Sequence, residues 1–184
     1  MRGWGNSAFG ATIDPTIRTL NDIVEVSCTT SAYAIRRVGG VVTVWGNTSN
    51  GGSMGAVSPD GFTTVVANGV AFAGIKTSGH VVAWGVAASG GTVPAPINAY
   101  TDIVKVVGAS TAFAALRATG HVVAWGAATL GGNVPGPIAA LADVDDIKGN
   151  FKAFAARRRN GTVVAWGDPA YGGNATPVGW HAAP

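Results

Sequence analysis

The string HVVAWG occupies residues 80–85 and returns letter for letter at 121–126, with TVVAWG at 162–167 and VVTVWG at 41–46. Trp4, Trp45, Trp84, Trp125 and Trp166 are spaced 41, 39, 41 and 41 residues apart, and each is followed by Gly. This repetition constrains the fold more than any other feature of the chain. A sheet built from about 40 residues cannot bury its own faces, so each unit must be covered by the units before and after it.

The repeat extends well beyond the tryptophan. Five residues before it stands Gly40, Gly79, Gly120 or Gly161, and eight before it Arg37, Lys76, Arg117 or Arg158. Twelve before it stands an aromatic: Tyr33, Phe72, Phe113 or Phe154. Further upstream an apolar pair recurs: Ile23 and Val26, Phe62 and Val65, Ile103 and Val106, Val144 and Ile147. Gly-Gly follows at 51–52, 90–91, 131–132 and 172–173.

Each unit reads as β structure. Val-Val-Ala-Trp is β-branched and aromatic, which suits a buried strand. The Thr-Gly or Asn-Gly step between two β-prone runs predicts a hairpin, with the recurrent Gly at positive φ. DIVKVVGAS reads as a further strand, and GGTVPAPI as a connector that lays at most a short outer segment along an edge. The expected fold is all-β: β-propeller-type blades of about 41 residues, each of three to four short strands. Four complete units span 22–46, 61–85, 102–126 and 143–167 of a single repeat domain, 1–184, and 1–20 and 168–184 are incomplete flanking units. That count implies a partial propeller or a ring completed by oligomerisation. The repeated Trp and aromatic positions read as packing residues. Cys28 holds a small-residue slot shared with Ala67, Gly108 and Gly149.

Composition removes several classes of function. The net charge is +3, with no dense basic run beyond Arg157–Arg159, so no nucleic-acid partner is expected. No apolar run is long enough to cross a bilayer, and the first residues, MRGWGNSAFG, carry no signal-peptide core, so no membrane insertion is expected. The single cysteine rules out an intrachain disulfide.

Catalytic patterns are lacking. His80 and His121 share an offset at which the other units carry Val41 and Thr162, so they read as strand-start residues; His181 stands alone. Asp22, Asp102 and Asp143 share an offset suited to bonding backbone at a strand entry. DVDD at 143–146 lacks the spacing and Gly of a calcium loop. No phosphate loop, nucleophile elbow or paired-Cys motif is present. The expectation is a protein that is not an enzyme and uses no cofactor or metal.

The pattern Gly-x-Val-Val-Ala-Trp-Gly, then Gly-Gly, x-Val-Pro, Asp-Ile-Val and Ala-Phe-Ala-Ala-Leu-Arg resembles the regulator of chromosome condensation repeat, in particular its compact bacterial form. VVAWG and TVP are also similar to the propeller-type β-lactamase inhibitor protein and to repeat arrays of large bacterial surface or secreted proteins. The resemblance covers essentially the whole chain and implies a seven-bladed ring.

The function expected is that of a structural or protein-interaction scaffold of a secreted or surface protein, placed outside the cell or at its surface as part of a larger protein. The alternative is a specific protein-binding inhibitor or a toxin-associated binding module. In the inhibitor, the loops before the repeated aromatic form the contact face. The matching residues here are Thr30, Asn68, Ser110, Phe151 and Lys152, and only Phe151 is aromatic. Arg37, Lys76, Arg117 and Arg158 should line one edge as a mildly positive rim, a device that keeps strands from sticking or draws acidic glycans or membrane surfaces. The partner is expected to be a second copy, in a homodimer that closes a ring of about eight blades, or another protein.

Overall fold

The computed structural model describes residues 5–174. Trp4, Trp180 and His181 lie outside the described residues.

Four three-stranded antiparallel sheets follow one another along the chain. Blade 1 is β1 (Ile23–Cys28), β2 (Ala32–Arg37) and β3 (Val42–Gly46). Blade 2 is β4 (Phe62–Ala67), β5 (Ala71–Lys76) and β6 (Val81–Gly85). Blade 3 is β7 (Ile103–Gly108), β8 (Ala112–Arg117) and β9 (Val122–Gly126). Blade 4 is β10 (Val144–Gly149), β11 (Ala153–Arg158) and β12 (Val163–Gly167). Within each blade the strands pair in sequence order, as the two short hairpin turns dictate. First strands of successive blades touch, β1 on β4, β4 on β7 and β7 on β10, so the blades stack face to face in series.

No fourth strand is added among the described residues. The Gly- and Pro-rich connectors fold instead as short 3-10 turns at Ser7–Phe9, Thr48–Asn50, Ala87–Ser89, Ala128–Leu130 and Pro169–Tyr171. Each ends in a left-handed glycine: Gly10, Gly51, Gly90, Gly131 or Gly172. Those glycines serve packing as well as turning. A Cβ on Gly51, Gly90 or Gly131 would lie 2.5, 2.7 or 2.5 Å from Phe72, Phe113 or Phe154 of the following blade. The connector is therefore a wedge between one blade and the next.

Tryptophan and aromatic form a repeated unit of packing. Tyr33, Phe72, Phe113 and Phe154 stack on Trp45, Trp84, Trp125 and Trp166 with centroids 5.2, 5.4, 5.4 and 5.5 Å apart. The four indole N–H groups donate to the wedge carbonyls of Gly10, Gly51, Gly90 and Gly131 at 2.9, 3.2, 2.9 and 3.0 Å. Small residues of the preceding blade receive these rings: Ala32 and Ala34 pack with Val65, Phe72 and Trp84, and Ala112 and Ala114 with Ile147, Phe154 and Trp166. The expected environment holds for Trp84, Trp125 and Trp166, which are buried, whereas Trp45 is only partly buried. The physical reason is its place in the series: residues 5–20 cover it, through Ile13, Ile17 and Leu20, but no described sheet stands beyond them.

Candidate functional site

The five loop residues are brought to one side of the stack, where they join the blades. Thr30 donates its backbone N–H to the Gly69 carbonyl, Gly69 to Ser110, and Ser110 to Phe151, at 2.9, 2.9 and 2.8 Å. Asn68 is buried; its Oδ1 accepts the N–H groups of Val70 and Ala71, and its Nδ2 donates to the Ser89 carbonyl. Asn150 does the same toward Lys152, Ala153 and Tyr171. Thr29 accepts from Ala32 in the equivalent position. Backbone groups that a tight loop would leave unpaired are thus satisfied locally, which fixes loop shape.

Phe151 and Lys152 differ from the other three copies of the loop. Phe151 is 62% exposed and lies 6.0 Å from the ring of Tyr171, itself 41% exposed. Lys152 Nζ sits 4.6 Å from the Tyr171 ring centre and 3.8 Å from the Asp168 carboxylate. Phe151 and Tyr171 thus present two aromatic rings to solvent with a cation over one of them. Loop composition singled out Phe151. Nothing in the sequence marks Tyr171, which stands in a connector that reads only as Gly-rich.

The opposite side carries the hairpin turns and the four basic residues, and there the expected positive rim proves to be a rim of paired charges. Arg37, Arg117 and Arg158 each hold an aspartate of their own blade, Asp22, Asp102 and Asp143, at 2.9 Å. These aspartates were expected to bond backbone at the strand entry; their carboxylates bond chiefly guanidinium, with a smaller backbone contribution at Asp22 and Asp143. The hydrogen bonds from Arg37 and Arg158 hold the Asp22 and Asp143 carboxyls below the ordinary carboxylate range. Blade 2 has Gly61 in the aspartate slot, and Lys76 Nζ bonds the carbonyls of Ser58, at 2.7 Å, and Asp60 while lying 3.6 Å from the Phe62 ring centre. Burial there lowers the Lys76 pKa.

The remaining carboxylates of DVDD are similarly engaged. Asp145 binds Arg157 at 2.8 Å, and Asp146 binds Lys105 of the preceding blade. Among the described residues no three His, Cys, Asp or Glu side chains gather as metal ligands would. His80 and His121 sit on exposed turns against the hydroxyls of Ser78 and Thr119. Cys28 is exposed on blade 1. The same slot in blades 3 and 4 demands smallness, since a Cβ on Gly108 or Gly149 would approach the carbonyl of Ala67 or Gly108 to 2.4 Å.

The faces of the end blades form a third region. Val65, Val106 and Ile147 are 2%, 4% and 0% exposed beneath the preceding blade, while Val26, in the same slot, is 58% exposed. At the other end a cavity of about 140 Å³ opens between the blade 4 sheet, at Ala153, Ala155 and Ala165, and its connector, at Tyr171 and Gly172. A Cβ on Gly172 would meet nothing within 4 Å, unlike its four counterparts.

No protein-family model and no curated protein matches the sequence. Similarity to solved structures is clear. Human WBSCR16 superposes with a TM-score of 0.60 at 17% identity, over 81% of this chain and 48% of that one. Yeast RCC1 (Prp20), in its structure with Kap60, gives 0.60 at 11% identity over 80% and 44%. The ectodomain of the Physcomitrella patens receptor kinase CR4 gives 0.56 at 16% identity over 81% and 40%. The chain thus spans less than half the length of these proteins. It shares with them a fold, the RCC1-like propeller built of tandem blades, and the four sheets are a partial propeller of that type.

Proposed function

We propose that this chain is a non-enzymatic propeller-type scaffold that works by binding protein, either another protein or a second copy of itself. The observation that carries the reading is the Phe151–Tyr171–Lys152 patch. Phe9, in the connector slot equivalent to Tyr171, is also exposed, but among the described residues Phe151 and Tyr171 are the two exposed rings that meet each other, under a cation and on the side where the loops converge. Buried aromatic anchors supply most of the energy of protein interfaces. The ion pairing of DVDD and of the hairpin rim, which leaves few carboxylates available for proton transfer, supports the absence of catalysis. The sequence resemblance to bacterial surface arrays supports a place outside the cell or at its surface, within a larger protein.

A second reading is favoured by the same patch: a specific inhibitor or toxin-associated module that uses Phe151 as its anchor. A photo-crosslinking phenylalanine analogue at position 151, expressed in the native host, tests both. We expect a discrete protein adduct from position 151 and none from position 38, where Val38 is 65% exposed on the hairpin side. Equal, diffuse labelling from both positions would remove the patch as a binding site. One stoichiometric partner whose activity falls on binding would select the inhibitor reading over the scaffold.

A further inference from the structure

The internal junctions specify what the two end faces fit. On the loop side each blade donates a backbone N–H to the next: Thr30 to Gly69, Gly69 to Ser110, Ser110 to Phe151. On the hairpin side the direction reverses. Phe62, Ile103 and Val144 donate to the carbonyls of Gly40, Gly79 and Gly120 of the blade before, at 2.9, 3.1 and 3.1 Å. The series therefore has polarity. Among the described residues, blade 1 is left with the Thr30 carbonyl as acceptor and the Ile23 N–H as donor, and blade 4 with the Phe151 N–H as donor and the Gly161 carbonyl as acceptor.

Those groups match when blade 4 meets blade 1. They do not match when like ends meet loop side on loop side, which sets acceptor against acceptor and donor against donor. Like ends meeting with the sides reversed would pair these groups but would turn the second chain over and, for blade 1 on blade 1, leave both blade 4 faces uncovered. The apolar surfaces agree with the polar ones. Val26 and the partly buried Tyr33 correspond to Val65 and Phe72, which inside the molecule lie on Ala32 and Ala34. Ala153 and Ala155 repeat Ala32 and Ala34 at the opposite end, beside the 140 Å³ cavity.

Resting on the protein-binding reading above, we infer that the face of blade 4 takes blade 1 of a second copy, head to tail. Two such junctions about one axis close a ring of two chains and about eight blades, within the range of propeller sizes. The acidic pair brought together, Asp146 and Glu25, is already neutralised on each side by Lys105 and Arg36.

One element must yield. Each internal junction holds a single connector, whereas two meet here: residues 5–20 ahead of blade 1 and residues 168–174 behind blade 4. Their caps correspond, Asn6 with Asp168 and Gly10 with Gly172. The leading connector buries Ile13 and Ile17 against Ile35 and packs Gly10 on Tyr33. The trailing one is held by the Asp168 N–H on the Lys152 carbonyl and the Asn150 amide on the Tyr171 carbonyl. Among the described residues the trailing connector buries less apolar surface than the leading one, so it is the trailing connector that yields, and its Tyr171 parts from Phe151 and Lys152 as the junction forms.

Light scattering of the full chain at micromolar concentration should give twice the monomer mass. Val26→Asp alters only the blade 1 face and Ala155→Arg only the blade 4 face, and each variant alone should be monomeric. Mixing them should restore a dimer, because the intact blade 4 of one meets the intact blade 1 of the other. Circular dichroism confirms that both variants stay folded. A monomeric wild type overturns the inference. So does a dimer that survives either single substitution, which would signal pairing of like ends or contact elsewhere. A monomeric wild type that still gives the adduct at position 151 removes the junction and leaves the scaffold reading standing; loss of both removes both.

Discussion

Among the described residues, blades 2 and 3 have a neighbouring blade on each face and blades 1 and 4 have one apiece. The four share nearly the same sentence of sequence, yet Phe113 is fully buried while Tyr33, in the same slot, is partly exposed. Val106 and Val26 differ in the same sense. Burial in this molecule is thus a property of position in the series and is not set by local sequence. A blade contributes a small sheet with two apolar faces, and the stabilising surface is made where two blades and a wedge meet.

The sharpest way to break that comparison is to cut the same side chain from an inner and an outer blade. Phe113→Ala removes a ring stacked on Trp125 at 5.4 Å and opens a cavity between blades. It should cost about 3–5 kcal/mol in urea unfolding, the usual cost of deleting a buried aromatic. Tyr33→Ala removes a ring stacked on Trp45 at 5.2 Å but still partly in solvent. It should cost about 1–2 kcal/mol, since only the apolar area withdrawn from water counts. Equal losses measured on dilute chains would mean that the end blades are covered as completely as the inner ones.

Backbone geometry gives an intermediate contrast. Gly120 and Gly161 have φ of 82° and 84°, so Ala at either position meets the left-handed penalty of about 1–2 kcal/mol. At Gly120 the new Cβ would also lie 2.3 Å from the Ala142 carbonyl oxygen of the following unit, whereas at Gly161 it meets nothing within 4 Å. Gly120→Ala should therefore cost about 1–3 kcal/mol more than Gly161→Ala, the range for overpacking against a fixed neighbour. Thermal or urea midpoints of the two variants, compared side by side, check it.

The repeat offsets make most of the fold legible: strand positions, the hairpin glycines at positive φ, and the packing role of the repeated aromatic and tryptophan all follow from period and residue type. Three features were hidden for identifiable reasons. The bulge near the start of each first strand, at Val24, Thr63, Val104 and Asp145, leaves no signature in residue type, because two valines, a threonine and an aspartate occupy it and none is the Gly that would mark a bulge. The Arg–Asp pairs join residues 15 apart across β1–β2, β7–β8 and β10–β11, a contact visible only once the register is known. The third is which side chains an end blade leaves in solvent, Val26 above all, because residue type alone does not say which face of a strand points outward. For the candidate site, Phe151 was legible as the lone aromatic of its loop set. Its partner Tyr171 was not, since only the fold of the connector brings residue 171 beside residue 151.

The smallest expected effect comes from the one loop whose local bonding differs from its copies. Thr29, Asn68 and Asn150 each turn a side-chain oxygen onto the N–H groups that follow them, and the two asparagines also reach the carbonyls of Ser89 and Tyr171. Blade 3 carries Ala109 in that slot, although its own N–H still bonds the Ala112 carbonyl as in the other copies. Two residues on, the buried Thr111 Oγ1 is without a hydrogen-bond partner. Ala109→Asn should let Oδ1 accept from the backbone of residues 111 and 112 and Nδ2 donate to the Leu130 carbonyl, which corresponds to Ser89 and Tyr171. One or two net hydrogen bonds are worth about 0.5–1.5 kcal/mol each, partly offset by the cost of ordering the amide. The variant should be more stable than the parent by about 0.5–1 kcal/mol in urea unfolding. Its loop amides at 111 and 112 should exchange with deuterium more slowly, to the level of those at 70 and 71. Unchanged exchange together with lost stability would mean that the blade 3 loop is shaped by Ser110 and its bond to Phe151 rather than by the residue that opens it.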